Sequence, residues 1–249
     1  MHWAILSGIE GNLAAYEAVL ENIQHQKQRV SALFVLGDFV GLKGDNQAVV
    51  ERLRSPRPGE LTPHMCKGWW ENQCLSLNGL GGLPDAPELM AREGEYGARV
   101  LRKSLCRESV LWMRSLHFGY QKFDCLLTHG STVSYADELT PETPAIRLCD
   151  RLIRADASRL FCGRSGLTFE CEVFPNQLKS SVTTLDGPQE PVDHSKTPRR
   201  VIGVGSVGRT RGLATYTLYH RGSHRVTFQT VRYSRAKGFA SSSTVKSRR

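Results

Sequence analysis

The sequence predicts a single α/β domain, and two patterns along its 249 residues indicate this class. In the N-terminal half, short apolar runs that end at glycines alternate with segments whose apolar residues recur at helical spacing. After residue 168 the pattern changes to short segments of alternating polarity, which are typical of antiparallel strands joined by turns. With 40% hydrophobic residues, a chain of this length can bury a core large enough to hold a functional site.

The first part of the chain is predicted to alternate strands and helices. Apolar runs followed by glycine or a polar residue predict strands at 2–7, 32–36, 124–128 and 159–162. Apolar residues at helical spacing predict helices at 13–27, 46–54, 86–117 and 144–154. Asn12 can cap the first of these helices. This succession favours strand-end loops that gather at one edge of a sheet, where ligands usually bind.

The last third of the chain is predicted to consist mainly of strands. Alternating segments indicate strands at 168–174, 179–185, 200–204, 213–220 and 225–233. Residues 186–199 are polar and contain proline, so we expect a mobile loop there. The domain is therefore expected to cover residues 1–233, followed by a disordered tail at 234–249.

The positive charge of the chain is concentrated in this tail. The formal net charge is +9, and the tail contributes five basic residues and no acid. A basic tail can attract phosphate-bearing polymers or an anionic membrane surface. However, aromatic residues make up only 8% of the chain and do not alternate with basic ones, so a nucleic-acid partner is not expected.

The cysteine pattern and the hydropathy indicate a cytoplasmic protein. Seven cysteines are scattered without a C-x-x-C pair, which favours reduced thiols. No apolar run approaches the roughly 18 residues of a membrane span, and the N-terminus lacks the pattern of a signal peptide. We therefore expect a soluble protein without a membrane span.

Glycine-containing loops carry the candidate chemistry. Four of these loops follow predicted strands, at 7–12, 37–41, 128–131 and 163–166. Two more lie at 67–71 and 205–209. Glycines beside polar residues at strand ends let the backbone approach a ligand closely. Each loop alone is a weak signal, but their order along the chain is more specific.

This order resembles the calcineurin-like metallophosphoesterases, particularly the small bacterial phosphoesterases. Members carry, in order, Asp-x-His-Gly-Asn, Gly-Asp-x-x-Gly, Gly-Asn-His-Asp/Glu, His-Gly and Gly-His-x-His loops, and bacterial members often add Gly-Ser-x-Gly. The most specific matches here are Gly11-Asn12, the stretch 36–41 (LGDFVG) and the stretch 205–208 (GSVG). The resemblance spans roughly residues 3–233. It implies a four-layer sandwich of two mixed β-sheets flanked by helices.

The resemblance also implies which residues would hold metal. In that family two divalent ions bind a phosphoryl group and activate water, and a bridging carboxylate joins the ions. Asp38 matches the bridging aspartate, and His129 matches a ligand histidine. Gly8 and Glu10 stand where the family has its first Asp and His.

Four further positions depart from the family pattern. Trp69 replaces the ligand Asn, Trp70 replaces the His that contacts phosphate, and Arg164 and Gly166 replace two histidines. Glycine and tryptophan offer no side-chain ligand for a hard divalent ion. Arginine brings a fixed positive charge, which at about 4 Å opposes such an ion by several kcal/mol.

We therefore expect a degenerate member of the superfamily. The first hypothesis is a metal-free pseudoenzyme that binds a phosphate-bearing small molecule or a protein partner. Its candidate ligand-binding residues are Asn12, Trp69, Trp70, Arg164, Ser206 and Arg209. The alternative is an active phosphoesterase, acting on phosphodiesters or phosphomonoesters, in which Glu10, Asp38 and His129 hold one divalent metal (Mn, Fe, Zn or Mg).

Each candidate residue also has an ordinary structural interpretation. Asp38 can be a turn or capping residue, His129 a hydrogen-bonded core histidine, and Glu10 a solvated loop acid. The two tryptophans can be packing residues. The 205–208 stretch can be a tight turn, although its backbone amides are also suited to cradle an anion.

Overall fold

Twelve strands and six helices are present in the part of the chain that the computed structural model describes, residues 1–81, 84–174, 182–184, 187–189 and 198–234. The strands are β1 (His2–Leu6), β2 (Val30–Leu36), β3 (Pro63–Cys66), β4 (Gly119–Lys122), β5 (Cys125–Thr128), β6 (Arg159–Cys162), β7 (Thr168–Val173), β8 (Val182–Thr184), β9 (Gly187–Gln189), β10 (Arg199–Val204), β11 (Leu213–His220) and β12 (Arg225–Arg232). The helices are α1 (Leu13–Gln24), α2 (Asn46–Arg54), α3 (Trp69–Leu77), α4 (Pro87–Lys103), α5 (Arg107–Arg114) and α6 (Ala145–Arg154).

Two five-stranded mixed sheets form the centre of the molecule. The first has the order β12-β11-β1-β2-β3, in which β1, β2 and β3 are parallel and β11 and β12 are antiparallel to their neighbours. The second has the order β4-β5-β6-β10-β7, with β5, β6 and β10 parallel and both edge strands antiparallel. Strands β8 and β9 form a separate hairpin.

The alternation of side chains along the strands produces four layers. On β1, Trp3 and Ile5 lie in the apolar layer between the two sheets, whereas Ala4 and Leu6 pack beneath the helices of the first sheet. Helix α6 covers the opposite face of the second sheet through a third apolar cluster. The order helices, sheet, sheet, helix confirms the predicted four-layer α/β sandwich. No helix in the described ranges is both long enough and apolar enough to cross a membrane.

Hydrogen bonds join the loops at the carboxyl ends of the parallel strands. The Ser7 hydroxyl donates to the Leu36 carbonyl (2.7 Å), and the Val207 amide donates to the Ser7 carbonyl (3.0 Å). The Gly163 amide donates to the His129 carbonyl (2.8 Å). These bonds bring loops from both sheets to one edge, as the sequence predicts for its glycine-containing loops.

Several predicted boundaries differ from the structure. The single helix predicted at 86–117 is wrong, because it is divided into α4 and α5, and Gly94 interrupts α4 with a φ of +66°. The helix predicted at 13–27 ends at Gln24. Four elements, β3, α3, β4 and β9, were not predicted. Strand β3 begins at a proline and α3 has a glycine at its N-cap, so both lack the usual sequence signals.

The predictions for residues 179–199 can be compared with the structure in part. The predicted strand at 179–185 is present at Val182–Thr184, and Gly187–Gln189 forms a strand where a loop was predicted. The remainder of 186–199, up to residue 197, lies outside the described residues, as does the tail beyond residue 234.

Candidate functional site

Asp38 is the buried centre of the strand-end edge. It follows β2 with a φ of +52°, and none of its side chain is exposed to solvent. Its Oδ1 accepts a hydrogen bond from the Trp70 amide (2.9 Å), so the first turn of α3 holds the carboxylate in one orientation. An unfavourable φ at a non-glycine residue persists where the surrounding structure over-determines it.

Glu71 connects the backbone of the Asp38 loop to the N-terminus of α3 through hydrogen bonds. Its Oε2 accepts hydrogen bonds from the amides of Asp38 and Gly68 (both 2.7 Å), and its Oε1 accepts from Val40 (3.0 Å). Sequence reasoning did not include Glu71 among the candidates. The available signal was the resemblance, because Glu71 matches the last residue of the family's third loop.

Burial and neighbouring charges shift the pKa values of Glu71 and Asp38. Burial, followed by repulsion from Asp38, raises the pKa of Glu71 to about 7, although its amide donors and His129 oppose the shift. Burial also pushes the pKa of Asp38 upward. However, His129, the Trp70 amide and Arg164 outweigh burial, so the pKa of Asp38 lies below its ordinary value.

His129 approaches Asp38 from the second sheet. It follows β5, its side chain is fully buried, and its Nδ1 lies 2.8 Å from the Leu36 carbonyl oxygen. A carbonyl only accepts hydrogen bonds, so Nδ1 carries the proton. Nε2 lies 3.2 Å from Asp38 Oδ2: in the imidazolium form this N–H pairs with the carboxylate, and in the neutral form the nitrogen has no hydrogen-bond partner in the described part of the chain. Asp38, Glu71 and His129 are called the Asp38 cluster below.

Three arginines, Arg92, Arg164 and Arg209, lie near Asp38, Glu10 and the two tryptophans and are called the arginine cluster. Arg209 donates from Nε to Glu10 Oε1 (2.6 Å) and from Nη2 to Asp38 Oδ2 (3.4 Å). Arg164 Nη1 lies 3.8 Å from the same Asp38 oxygen, beyond hydrogen-bond distance. Arg92 pairs with the adjacent Glu93 at 3.0 Å.

Arg164 is the least satisfied member of the arginine cluster. Its side chain is 12% exposed, and its Nε is buried without a hydrogen-bond partner among the described residues. Its guanidinium carbon lies 4.7 Å from the centre of the Trp69 ring. Burial lowers the pKa of Arg164, Asp38 and Glu138 oppose this shift, and repulsion from Arg92 and Arg209 adds to it. The charge therefore lacks full compensation within the described structure.

The two tryptophans support the arginines. Trp69 and Trp70 lie in the first turn of α3, are 3% and 5% exposed, and pack edge to face with ring centres 4.8 Å apart. The Trp69 indole donates to Glu88 (2.8 Å), and Arg92 lies over the same ring at 5.0 Å. The packing interpretation fits this burial, because neither ring presents an open face to a ligand base.

The side-chain polar atoms of Asn12 and Ser206 form hydrogen bonds within the protein. Asn12 Oδ1 caps α1 by accepting from the Ala15 amide (3.1 Å), and its Nδ2 donates to the Tyr233 hydroxyl (2.8 Å). The Ser206 hydroxyl donates to the Gly8 carbonyl (3.1 Å) and accepts from the Arg209 amide (3.3 Å).

The backbone amides of the 205–208 turn are also engaged. They donate, in order, to Leu167 O, Thr215 Oγ1, Ser7 O and Gly8 O. The tight-turn interpretation fits these bonds, because every amide of the stretch has an acceptor within the protein, and the anion cradle stays a prediction.

Arg209 lies against the two glycines that stand at family ligand positions. A Cβ added to Gly166 would lie 2.4 Å from Arg209 Nη1. A Cβ added to Gly8 would lie 2.8 Å from Ser206 Oγ and 3.6 Å from Arg209 Nε. The guanidinium thus extends through space that larger side chains at either position would need. Within the described residues, no three His, Cys, Asp or Glu side chains are grouped closely enough to hold a metal ion.

Comparisons with known proteins agree with this architecture. The sequence matches no protein-family model and no curated protein. Among solved structures, it is similar to a metallophosphoesterase from Sphaerobacter thermophilus, with 22% identity and a TM-score of 0.65 over 94% of this chain and 90% of that chain. It is also similar to a cold-active protein-tyrosine phosphatase from a psychrophilic Shewanella species, with 13% identity and a TM-score of 0.52 over 93% and 80% of the two chains. The chain therefore has the metallophosphoesterase fold.

Proposed function

We propose that this chain is a degenerate metallophosphoesterase, catalytically inactive, that binds a phosphate group without a metal ion. The observation that supports this most directly is the incompletely neutralised guanidinium of Arg164. The phosphate is carried by a small molecule or displayed by a protein partner, and both would offer the same anionic oxygens.

Charge balance supports an anion as the ligand. Arg209 already holds both Glu10 and Asp38, whereas Arg164 has its closest described carboxylate oxygen at 3.8 Å. A buried charge without good partners costs several kcal/mol, and a phosphate oxygen next to Arg164 would relieve that cost. The planar guanidinium also matches a phosphate group in geometry.

The donor set does not fit the two-metal chemistry of the family. A bridging carboxylate must turn free lone pairs toward both ions, but Asp38 Oδ1 accepts from the Trp70 amide and Oδ2 faces the cationic side chains of Arg164 and Arg209. Gly8 and Gly166 supply no donor atoms. A guanidinium about 4 Å from a divalent ion would oppose it by several kcal/mol. We therefore derive no catalytic step through a metal.

Calorimetric titration with inorganic phosphate and with pyrophosphate, in a buffer free of both, tests the proposal. We expect saturable binding and a higher melting temperature for the wild type. Arg164→Met should weaken binding at least tenfold, whereas Arg99→Met, which changes an exposed arginine on α4, should leave it unchanged. Absence of binding, or equal loss in both variants, would contradict the proposal.

A second candidate function has one observation in its favour. In the neutral ring the Nε2 of His129, 3.2 Å from Asp38 Oδ2, has no hydrogen-bond partner among the described residues, and a metal binds such a nitrogen. Manganese-dependent hydrolysis of bis(p-nitrophenyl) phosphate or p-nitrophenyl phosphate, lost in Asp38→Ala and in His129→Ala, would favour the one-metal phosphoesterase. Together with metal analysis of the purified protein, this assay separates the two candidates.

A further inference from the structure

The first sheet has a cavity on its helix-covered face, at the end opposite the Asp38 cluster. His2 begins β1 and lies on the same face as Ala4 and Leu6, which pack beneath the helices. The residues that follow α1, Gln26 and Gln28, line the cavity together with β1, β11 and β12. Its volume of about 370 Å³ lies within the range of small-molecule sites, about 300–1,000 Å³.

The strand register places three basic side chains in a row along this cavity. His2 on β1 pairs with His220 on β11, and His220 pairs with Arg225 on β12. Leu218 and Val231 pack beneath the helices, and each is an even number of residues away on the same strand as His220 or Arg225. All three basic side chains therefore share one face. Like charges at directly paired positions are destabilising, so the row favours a negatively charged ligand.

The turn between β11 and β12 fixes the protonation of the neutral His220 ring. Nδ1 lies 3.2 Å from the backbone nitrogen of Ser223 and 2.7 Å from its hydroxyl oxygen. An amide only donates, so Nδ1 accepts and the proton of the neutral ring is on Nε2. The His2 ring stacks on His220 with the ring centres 4.5 Å apart. His220 consequently keeps one hydrogen-bond donor for a ligand even when the ring is uncharged.

The lining of the cavity favours an anion over a cation. No aspartate or glutamate lines it in the part of the chain that the structure describes. The other polar side chains of the lining are uncharged: Gln26, Gln28, Gln229, Ser223 and Thr227. Amide and hydroxyl groups can donate hydrogen bonds to an anion. A bound cation would add to the repulsion within the row, whereas an anion would offset it.

We propose that this cavity is a second anion site, separate from the arginine cluster, in which His2, His220 and Arg225 bind a tetrahedral oxyanion of the phosphate or sulfate type. Imidazolium and guanidinium groups form short, charge-assisted hydrogen bonds to the oxygens of such an ion. The oxyanion is free in solution or is the terminal group of a small molecule, and both present the same oxygens to the three side chains.

Nitrogen NMR of the imidazole rings in the full chain tests this inference. The His2 and His220 signals are assigned with His2→Gln and His220→Gln, and the chain is titrated with sulfate, inorganic phosphate and glycerol 3-phosphate at about pH 6, where imidazoles are partly protonated. Sodium chloride keeps the ionic strength constant. We expect both rings to shift saturably with one common Kd. Tighter binding of glycerol 3-phosphate than of inorganic phosphate supports a terminal group as the ligand, and equal binding supports a free anion.

Matched variants make the outcome specific. Arg225→Gln should weaken binding at least fivefold, whereas Arg232→Gln, at the other end of β12, should leave it unchanged. Thr227→Glu places a negative charge in the lining and should abolish binding, which provides a second variant if Arg225→Gln folds poorly. Arg164→Met should not alter these shifts, so failure of the phosphate site at Arg164 cannot be confused with failure here.

Two results would overturn the inference. One is a pair of histidine signals that move linearly with concentration, or equally with chloride, because this would show only a response to ionic strength. The other is unchanged affinity in the folded Arg225→Gln and Thr227→Glu variants.

Discussion

The Asp38 cluster and the arginine cluster lie side by side but are built in different ways. In the Asp38 cluster, backbone amides from two loops are bonded to Glu71 and Asp38, and all three side chains are buried. In the arginine cluster, long side chains meet over tryptophan rings, and Arg164 keeps an unpaired buried Nε among the described residues. We infer that the first cluster stabilises the fold, whereas the second holds a positive charge that the described residues compensate only in part.

Removal of the Glu71 carboxylate should have the largest effect on the free energy of unfolding. Glu71→Ala leaves three buried amides without their acceptor, and each costs about 1–3 kcal/mol. We expect a loss of about 4 kcal/mol, measured by urea unfolding. The exposed Glu95 on α4 provides the control, since Glu95→Ala should change stability by less than about 0.5 kcal/mol. A loss below about 1 kcal/mol for Glu71→Ala would mean that the Asp38 cluster is not a structural unit.

The pH dependence of stability should identify the same acid. The folded-state pKa of Glu71, about 7, lies above its ordinary value of 4.5, so the folded chain binds more protons there than the unfolded chain between these values. This contribution is fully present below about pH 4.5 and is lost as the pH rises through about 7.

Urea unfolding of the wild type and Glu71→Gln from pH 4.5 to 8 measures this contribution. The stability advantage of the wild type should fall by roughly 3 kcal/mol across the range, at about 1.4 kcal/mol per pKa unit. An advantage that rises with pH would indicate that the three amide donors dominate and keep the carboxylate charged.

Alanine substitutions at Gly166 and Gly79 should show how firmly Arg209 is held in the arginine cluster. Gly166 and Gly79 have similar φ values, +72° and +69°, but an added Cβ meets Arg209 Nη1 at Gly166 and no atom within 4 Å at Gly79. Gly79→Ala should cost about 1 kcal/mol from backbone strain alone. Gly166→Ala should cost about 2 kcal/mol, since Arg209 must also move. Equal losses in thermal unfolding would show that the guanidinium yields freely.

The smallest expected effect has the opposite sign. Arg164→Met removes a buried charge with incomplete partners while preserving the contact with Trp69, so the free energy of unfolding should increase by about 1 kcal/mol. Arg209→Met should instead decrease it, because Arg209 neutralises Glu10 and Asp38. Urea unfolding without phosphate measures both. Destabilisation by Arg164→Met would place Arg164 among the structural residues.

The sequence predicted the parts of the molecule that depend on backbone pattern. Apolar periodicity located β1, α1, β2 and α2, and the glycine-containing loops indicated the edge where the Asp38 cluster lies. The resemblance supplied the order of layers, because periodicity carries no information about which strands become neighbours. Strand β3 and helix α3 lacked local signals, and their positions depend on tertiary contacts such as those of Glu71.

The contacts of the side chains could not be predicted in the same way. Arg209 was proposed as a ligand-binding residue, but its position against Gly8 and Gly166 follows from the packing of three loops that are distant in sequence. Asn12 and Ser206 were proposed for similar reasons, and their described contacts are with the protein. A sequence identifies which residues reach an edge, whereas their partners are determined by distances that only a three-dimensional arrangement contains.

The close approach of Arg209 to Gly166 and Gly8 also constrains how this protein can evolve. A histidine at 166 or an aspartate at 8 would collide with groups already present, the arginine or Ser206. A side chain at 166 would require Arg209 to move or be replaced, and without the arginine Glu10 and Asp38 would lose their counter-ion. Positions 166 and 209 are therefore expected to be epistatic, because the side chain tolerated at one depends on the residue present at the other.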